Sequence, residues 1–205
     1  MHIESSLFKI DDSVKDIRKA RSKDYYSVLV DKKVVLPTSI LYWETFGQNL
    51  KENVLKSLDI YRKVTRETYL LSIQFKIIHN VIATNKKKYD WKIEKSFKCH
   101  FCSNMDTVYH YFWDCQQTKE IVRTCLDFLN LPRDLFTDFE FLFGKDDIQV
   151  DNVSILITYM IYSIRQHKKV YHDDYFAKEI EYRFMADKNS MPHEKLNVKW
   201  ALIKH

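Results

Sequence analysis

Apolar positions recur at helical spacing along most of the chain. Between residues 65 and 82, Leu70, Ile73, Ile77, Ile78 and Val81 form one stripe, while Arg66, Gln74, Lys76 and Asn80 fall off it. That pattern predicts an amphipathic helix, with Thr65 and Thr68 as cap candidates. From Asn152 to about residue 170 the chain is apolar on most sides, which predicts a central core helix. Residues 116–129 predict another helix, with Ile121, Val122, Cys125, Phe128 and Leu129 inward. Shorter helices are expected at three places. One follows Pro37, with Thr38 or Ser39 as cap, and carries Leu41, Trp43 and Phe46. One spans about 51–61, with Val54, Leu55 and Leu58 inward. One is the aromatic stretch 136–143. A more polar helix is expected over 175–187 and a last short one after Pro192. Near the start, Asp12-Ser13 reads as an N-cap, and Val14, Ile17, Tyr25 and Leu29 lie near helical spacing, predicting a helix from 12 to about 30. The segment 84–98, TNKKKYDWKIEKSFK, reads as irregular.

Composition supports a mostly α fold. The chain has 2 Gly and 3 Pro in 205 residues, too few for the tight turns of a sandwich or barrel. Hydrophobic residues make up 45%, which argues against disorder, and the 13 Tyr and 13 Phe predict a ring-packed core. There is no internal repeat. The expected organisation is an N-terminal helical region (1–95), a small cysteine-rich segment (96–116) and a C-terminal helical region (117–205), packed as one unit.

The net charge of +5 is mild, but it is unevenly spread. From Tyr61 to His100 there are ten Lys/Arg against three Asp/Glu; from Phe101 to Val150 there are four against nine. A basic stretch followed by an acidic one predicts one face for polyanions and another that avoids them. The N-terminus is too polar for a secretory signal, and the longest apolar run, about 153–164, is shorter than the ~20 residues that span a bilayer. The expectation is a soluble intracellular protein of nucleus or cytoplasm, without a membrane partner or a small-molecule substrate. In a reducing compartment, clustered cysteines are metal ligands more often than disulfides.

Such a cluster occupies residues 97–115, FKCHFCSNMDTVYHYFWDC. Cys99 and Cys102, with two residues between them, can grip one ion from a single tight turn, for which Ser103 and Asn104 are suited. His110 and Cys115 then close a four-ligand site of the kind that structural Zn²⁺ prefers, with Cys115 leading into the next helix. Four protein ligands leave no position for water, so a catalytic zinc is not expected. His100 is an alternative ligand, although its place between the two cysteines should turn it away. Cys125 reads as a core residue of the following helix.

The words around the cluster carry more than its spacing. Cys99 and Cys102, then Asp106-Thr107, then HYFWDC from His110 to Cys115, resemble the zinc-binding segment near the C-terminus of LINE-type (non-LTR) retrotransposon reverse transcriptases. Upstream, TRETYLLSIQFKIIHNVIATN (65–85) is similar to that family's helix ending in Thr-Asn. YYSVLVDKK, LFG (142–144), ITYMIYSIRQHKK and a terminal KW (199–200) fit more weakly. Asp106 stands where the family usually has Glu, and Tyr111 where it usually has an aliphatic residue. The resemblance implies one structural Zn²⁺ on Cys99, Cys102, His110 and Cys115. It also implies a role beside a polymerase, holding template RNA or target DNA during target-primed reverse transcription, without polymerase or endonuclease domains of its own.

Two further features bear on function. Tyr171-His172-Asp173-Asp174 spells the Tyr-x-Asp-Asp of polymerase active sites, but its flanks read as helices rather than a hairpin. The expectation is an inter-helix turn with Asp173 or Asp174 as N-cap. Lys86, Lys87, Lys88, Lys92 and Lys98, with Lys95, lie beside Tyr89 and Trp91, and Arg66, Lys76 and His79 can extend them. Lysines neutralise phosphates and exposed rings stack on unpaired bases; a solvated loop with its rings turned inward is the competing reading. The leading expectation is a zinc-stabilised, non-catalytic nucleic-acid-binding module. The alternatives are a protein-interaction module docking on an upstream reverse transcriptase domain, and an inactive domesticated relic.

Overall fold

A computed structural model of the chain describes residues 7–10, 13–16, 38–47, 50–167 and 171–203. It comprises two units, Met1–Pro37 and Thr38–His205, each taken by itself below.

In the first unit, β1 (Leu7–Ile10) pairs antiparallel with β2 (Ser13–Asp16), in a register that sets Leu7 opposite Asp16 and Ile10 opposite Ser13. This corrects the helix expected from residue 12. Two residues separate the strands in sequence, a length that a hairpin allows, and Ser13, read as part of a helix cap, is the first residue of β2. The remainder of that expected helix, with Ile17, Tyr25 and Leu29, lies outside the described residues.

The second unit is helical: α1 (Thr38–Glu44), α2 (Leu50–Val64), α3 (Thr68–Ile78), α4 (Asn85–Asp90), a π-helical turn (His110–Asp114), α5 (Gln116–Phe128), α6 (Asp138–Phe143), α7 (Ile148–His167), α8 (Asp173–Ser190) and α9 (His193–Trp200). The mostly α expectation holds. Helix α7 is the axis of the packing, as its apolar run predicts. It touches α2, α3, α5, α6, α9 and the π turn, and it buries residues on every face, from Val153 and Ile157 to Met160 and Ile164.

Rings fill the space around it. Trp43, Tyr61, Phe112, Phe141, Phe143 and Phe176 are fully buried. Their polar atoms are matched: Trp43 Nε1 donates to the Ile78 carbonyl at 2.9 Å. The Phe141 carbonyl accepts from Tyr61 Oη at 3.2 Å and Ser154 Oγ at 2.7 Å. Helix α6 is bracketed at both ends. Thr137 and Glu140 form a reciprocal capping box. Gly144 ends the helix at φ 88°, where a Cβ would stand 2.7 Å from Ile60 Cγ2.

Four details depart from the periodicity. Leu55 is 57% exposed, and Val81 (49%) and Phe128 (40%) also reach solvent, because spacing does not reveal which face meets a neighbour. Gln74, read as off the stripe of α3, is fully buried with neither amide atom hydrogen-bonded. The stretch 84–98 is not wholly irregular. Thr84 caps α4 by accepting the Lys87 N–H at 3.4 Å, so the lysine triplet 86–88 is helical. The Tyr-x-Asp-Asp string opens α8, with His172 rather than either aspartate as N-cap and both aspartates in the first turn.

Candidate metal centre

The Cys99–Cys102 loop is pinned at its base. Lys98 and Met105 form an isolated antiparallel bridge, and the Cys99 N–H donates to the Asn104 carbonyl at 2.7 Å. Ser103 takes φ 61°, the left-handed conformation that a reversal this tight demands. Inside the turn, the Phe101 N–H points at Cys99 Sγ, 3.5 Å away. The other two donors come from the HYFWDC string. His110 and Cys115 are five residues apart, which on an α-helix would turn them about 140° from each other. The chain instead closes a π turn, with the Cys115 N–H donating to the His110 carbonyl at 2.9 Å, and this brings both side chains to one side.

The four donor atoms of Cys99, Cys102, His110 and Cys115 lie within 4.8 Å of one another, so the cluster can hold one metal ion. Cys99 Sγ is 3.8 Å and Cys102 Sγ 3.9 Å from Cys115 Sγ, and Cys102 Sγ is 3.1 Å from His110 Nε2. Cys99, His110 and Cys115 are buried and Cys102 is half-buried. His100 is exposed and outside the cluster; Cys125 is buried within α5. The structure thus brings together the four residues read as candidates and leaves His100 and Cys125 outside the cluster.

The local electrostatics suit metal ligands. Burial, and then the charge of Arg165, lower the pKa of His110, which keeps the imidazole neutral with a lone pair to donate. Its Nδ1 faces the Asp114 carboxylate at 3.6 Å, leaving Nε2 toward the cysteines. Burial opposes ionisation of Cys115. The Thr118 N–H, Arg165 and the Gln117 N–H outweigh it, so this thiol at the N-terminus of α5 ionises more easily than a free one. Burial raises the Cys99 thiol, against the Phe101 N–H and Arg165.

Arg165 is the residue that sequence reading missed. It sits near the end of α7 with its side chain 3% exposed. Nη2 donates to Asp106 Oδ1 at 2.8 Å and Cys99 Sγ at 3.3 Å; Nη1 donates to the Tyr111 carbonyl at 3.1 Å and Thr118 Oγ1 at 3.2 Å. The guanidinium also stacks 3.9 Å from the Tyr111 ring. Asp106 in turn accepts the Asn85 N–H through Oδ2 at 2.9 Å, and Asn85 Nδ2 donates to the Lys98 carbonyl at 2.7 Å. One buried ion pair thus ties the central helix, the start of α4 and the donor cluster together. The available signal was a lone arginine closing the apolar run ITYMIYSIR.

The seven candidate nucleic-acid contacts are spread out. Arg66 precedes α3, and Lys86, Lys87 and Lys88 follow it, so the ~16 Å length of that helix separates them. Lys76 is half-buried, with Nζ 5.7 Å from the centre of the Tyr162 ring, and the His79 ring packs tilted against Phe75, centroids 4.1 Å apart. Lys86 is paired with Asp90 at 2.5 Å. Lys87, Lys88, Lys92 and Lys98 form no ion pair among the described residues, and Trp91 beside them is exposed. No helix among the described residues is long and apolar enough to cross a membrane. No protein-family model, curated protein or solved structure matches the chain.

Proposed function

We propose that Cys99, Cys102, His110 and Cys115 hold one structural Zn²⁺, and that the chain is a non-catalytic module that binds RNA or DNA. It would resemble in this the segment that follows the polymerase in LINE-type reverse transcriptases. The donor geometry carries the reading. A tetrahedral ion with bonds of ~2.3 Å to sulfur separates its sulfurs by about 3.8 Å. Two sulfur pairs here are 3.8 and 3.9 Å apart. Three thiolates and one imidazole fill all four positions, so the ion is a structural one, held as a small CCHC knuckle.

The partner reading rests on what borders the cluster. Lys87, Lys88, Lys92 and Lys98 are free of carboxylate partners among the described residues, and the Trp91 and Phe101 rings are open to solvent. Lysines next to exposed rings suit a phosphate backbone with stacked bases. Metal analysis of the purified protein should give one zinc per chain, lost together with folding in Cys102→Ser. Gel-shift titrations with single-stranded and structured RNA should show salt-sensitive binding; its absence at low ionic strength would refute the partner reading.

A second reading is a docking surface for a polymerase domain. Ile93 (69% exposed) and Met105, which neither stack nor carry charge, lie exposed in the same stretch and favour it. Binding to such a domain that survives Lys86→Glu, Lys87→Glu and Lys88→Glu together would support this alternative.

A further inference from the structure

Away from the metal centre, the C-terminal end of α2, the end of α8 and helix α9 enclose a groove of about 670 Å³. That volume lies within the ~300–1,000 Å³ range of small-molecule sites. Its walls are of two kinds. Val64, Ile148 and Val198 give apolar surface, and Arg66, Lys195 and Lys199 contribute cations along with Arg62 and Lys63. Against these five cations the lining has two carboxylates, Asp187 and Glu194.

The cations differ in how far they are committed. Lys199 is buried, and its Nζ is paired with Asp187 Oδ2 at 2.5 Å; the same oxygen accepts Trp200 Nε1 at 2.9 Å. This neutralises the floor and spends the Asp187 carboxylate. Among the described residues, Arg62 and Lys63 are tied to exposed partners outside the groove, Asp59 and Asp146, and such surface pairs are weak enough to be given up. The side chains of Arg66 and Lys195 form no ion pair or hydrogen bond with any described residue, and both residues are exposed. The groove therefore joins an apolar wall to a rim of net positive charge, in which Glu194 is the carboxylate left to oppose Arg66 and Lys195.

We propose that this groove is a ligand site for a phosphate ester with an apolar or planar body, of which a nucleotide is the simplest form. Arg66 and Lys195 meet the phosphate, and the apolar wall covers the body. The source of that chemistry is either a free nucleotide or the phosphorylated end of a strand. The site does not depend on the metal reading, because none of its residues belongs to the donor cluster; it shares Arg66 with the candidate nucleic-acid contacts.

Calorimetric titration of the zinc-loaded full chain with AMP, adenosine, inorganic phosphate and a 5′-phosphorylated single-stranded dodecamer tests it. AMP should bind saturably with a Kd below about 1 mM, and at least ~10-fold more tightly than adenosine. The double variant Arg66→Glu, Lys195→Glu should weaken AMP by ~10-fold or more with an unchanged circular dichroism spectrum, since both side chains are exposed. Reversal of Lys87 and Lys92 should leave AMP binding intact. If the dodecamer displaces AMP and its unphosphorylated form does not, the source is a strand end; if neither displaces it, the source is a free nucleotide. Adenosine binding equal to AMP, no saturation by AMP or the dodecamer, or indifference to the double reversal would each overturn the proposal.

Discussion

The guanidinium of Arg165 lies 3.3 Å from Sγ of Cys99, although 66 residues separate them. The same nitrogen holds Asp106 at 2.8 Å, and both charges are almost wholly removed from water. A buried pair of this kind adds little net stability compared with apolar packing, but breaking it leaves one charge stranded. Arg165→Met should therefore destabilise the domain by about 3–5 kcal/mol in urea unfolding. Adding Asp106→Asn to that variant should recover part of the loss, because the stranded carboxylate is gone. A double variant as unstable as the sum of the two single ones would show that the residues act independently.

Metal affinity should separate the two histidines. His110 presents Nε2 to the cysteines, whereas His100 is exposed and outside the cluster. Competition against a chromophoric chelator should find His100→Ala close to wild type. His110→Ala should lose more than the ~100-fold that removal of an outer hydrogen-bond partner can cost. Asp114→Ala, which removes the carboxylate 3.6 Å from Nδ1, should fall between them at about 10-fold. Equal affinities for the His100 and His110 variants would exclude His110 as a ligand.

Gly144 and Gly47 should answer differently to the same added methyl. At Gly144 the backbone is at φ 88° and the new Cβ would meet Ile60 Cγ2 at 2.7 Å, whereas at Gly47 the nearest atoms are 3.5 Å away. Gly144→Ala should cost about 2–3 kcal/mol, from left-handed strain plus overpacking against α2. Gly47→Ala should shift the urea midpoint only slightly. Similar midpoints for the two variants would mean that the turn after α6 relaxes freely.

The readings that held rest on local signals. Helix α7 was legible because its apolar positions run round all faces, which only a surrounded helix tolerates. The donor cluster was legible because only two residues lie between Cys99 and Cys102, and because Cys115 follows His110 closely. Its closure depended on a π turn, which no residue in HYFWDC announces. Arg165 was hidden because an arginine near a helix end ordinarily faces solvent and the C-terminal carbonyls. Its partners Asp106 and Cys99 are distant in sequence. Leu55 and Val81 misled for the opposite reason. They satisfy the spacing of an inward stripe, but Val81 falls after α3 has ended and Leu55 has no element over it among the described residues. Strand β2 was read as helix because a hairpin is defined by its partner, and the pairing with β1 is not written in Ser13–Asp16 alone.

Asp151 should make stability depend on pH in the direction opposite to an ordinary surface carboxylate. It is buried at the start of α7, where its oxygens accept the N–H groups of Lys145 at 2.7 Å and Asp147 at 3.0 Å. Burial is the dominant influence and outweighs these bonds, so its carboxyl is pushed up to about 6 from the ordinary 3.8. A folded value above the unfolded one means that the proton binds more tightly in the folded chain. The stability it contributes is fully present below 3.8 and is lost as the pH rises through 6. Asp151→Asn removes this titration while keeping the size of the side chain. Between pH 7 and pH 5, wild type should therefore gain ~1 kcal/mol relative to the variant. Urea unfolding of both proteins at the two pH values measures the change in the gap, in which any constant cost of the amide cancels. A gap that stays fixed, or that moves the other way, would show that the two backbone N–H bonds stabilise the carboxylate against its burial.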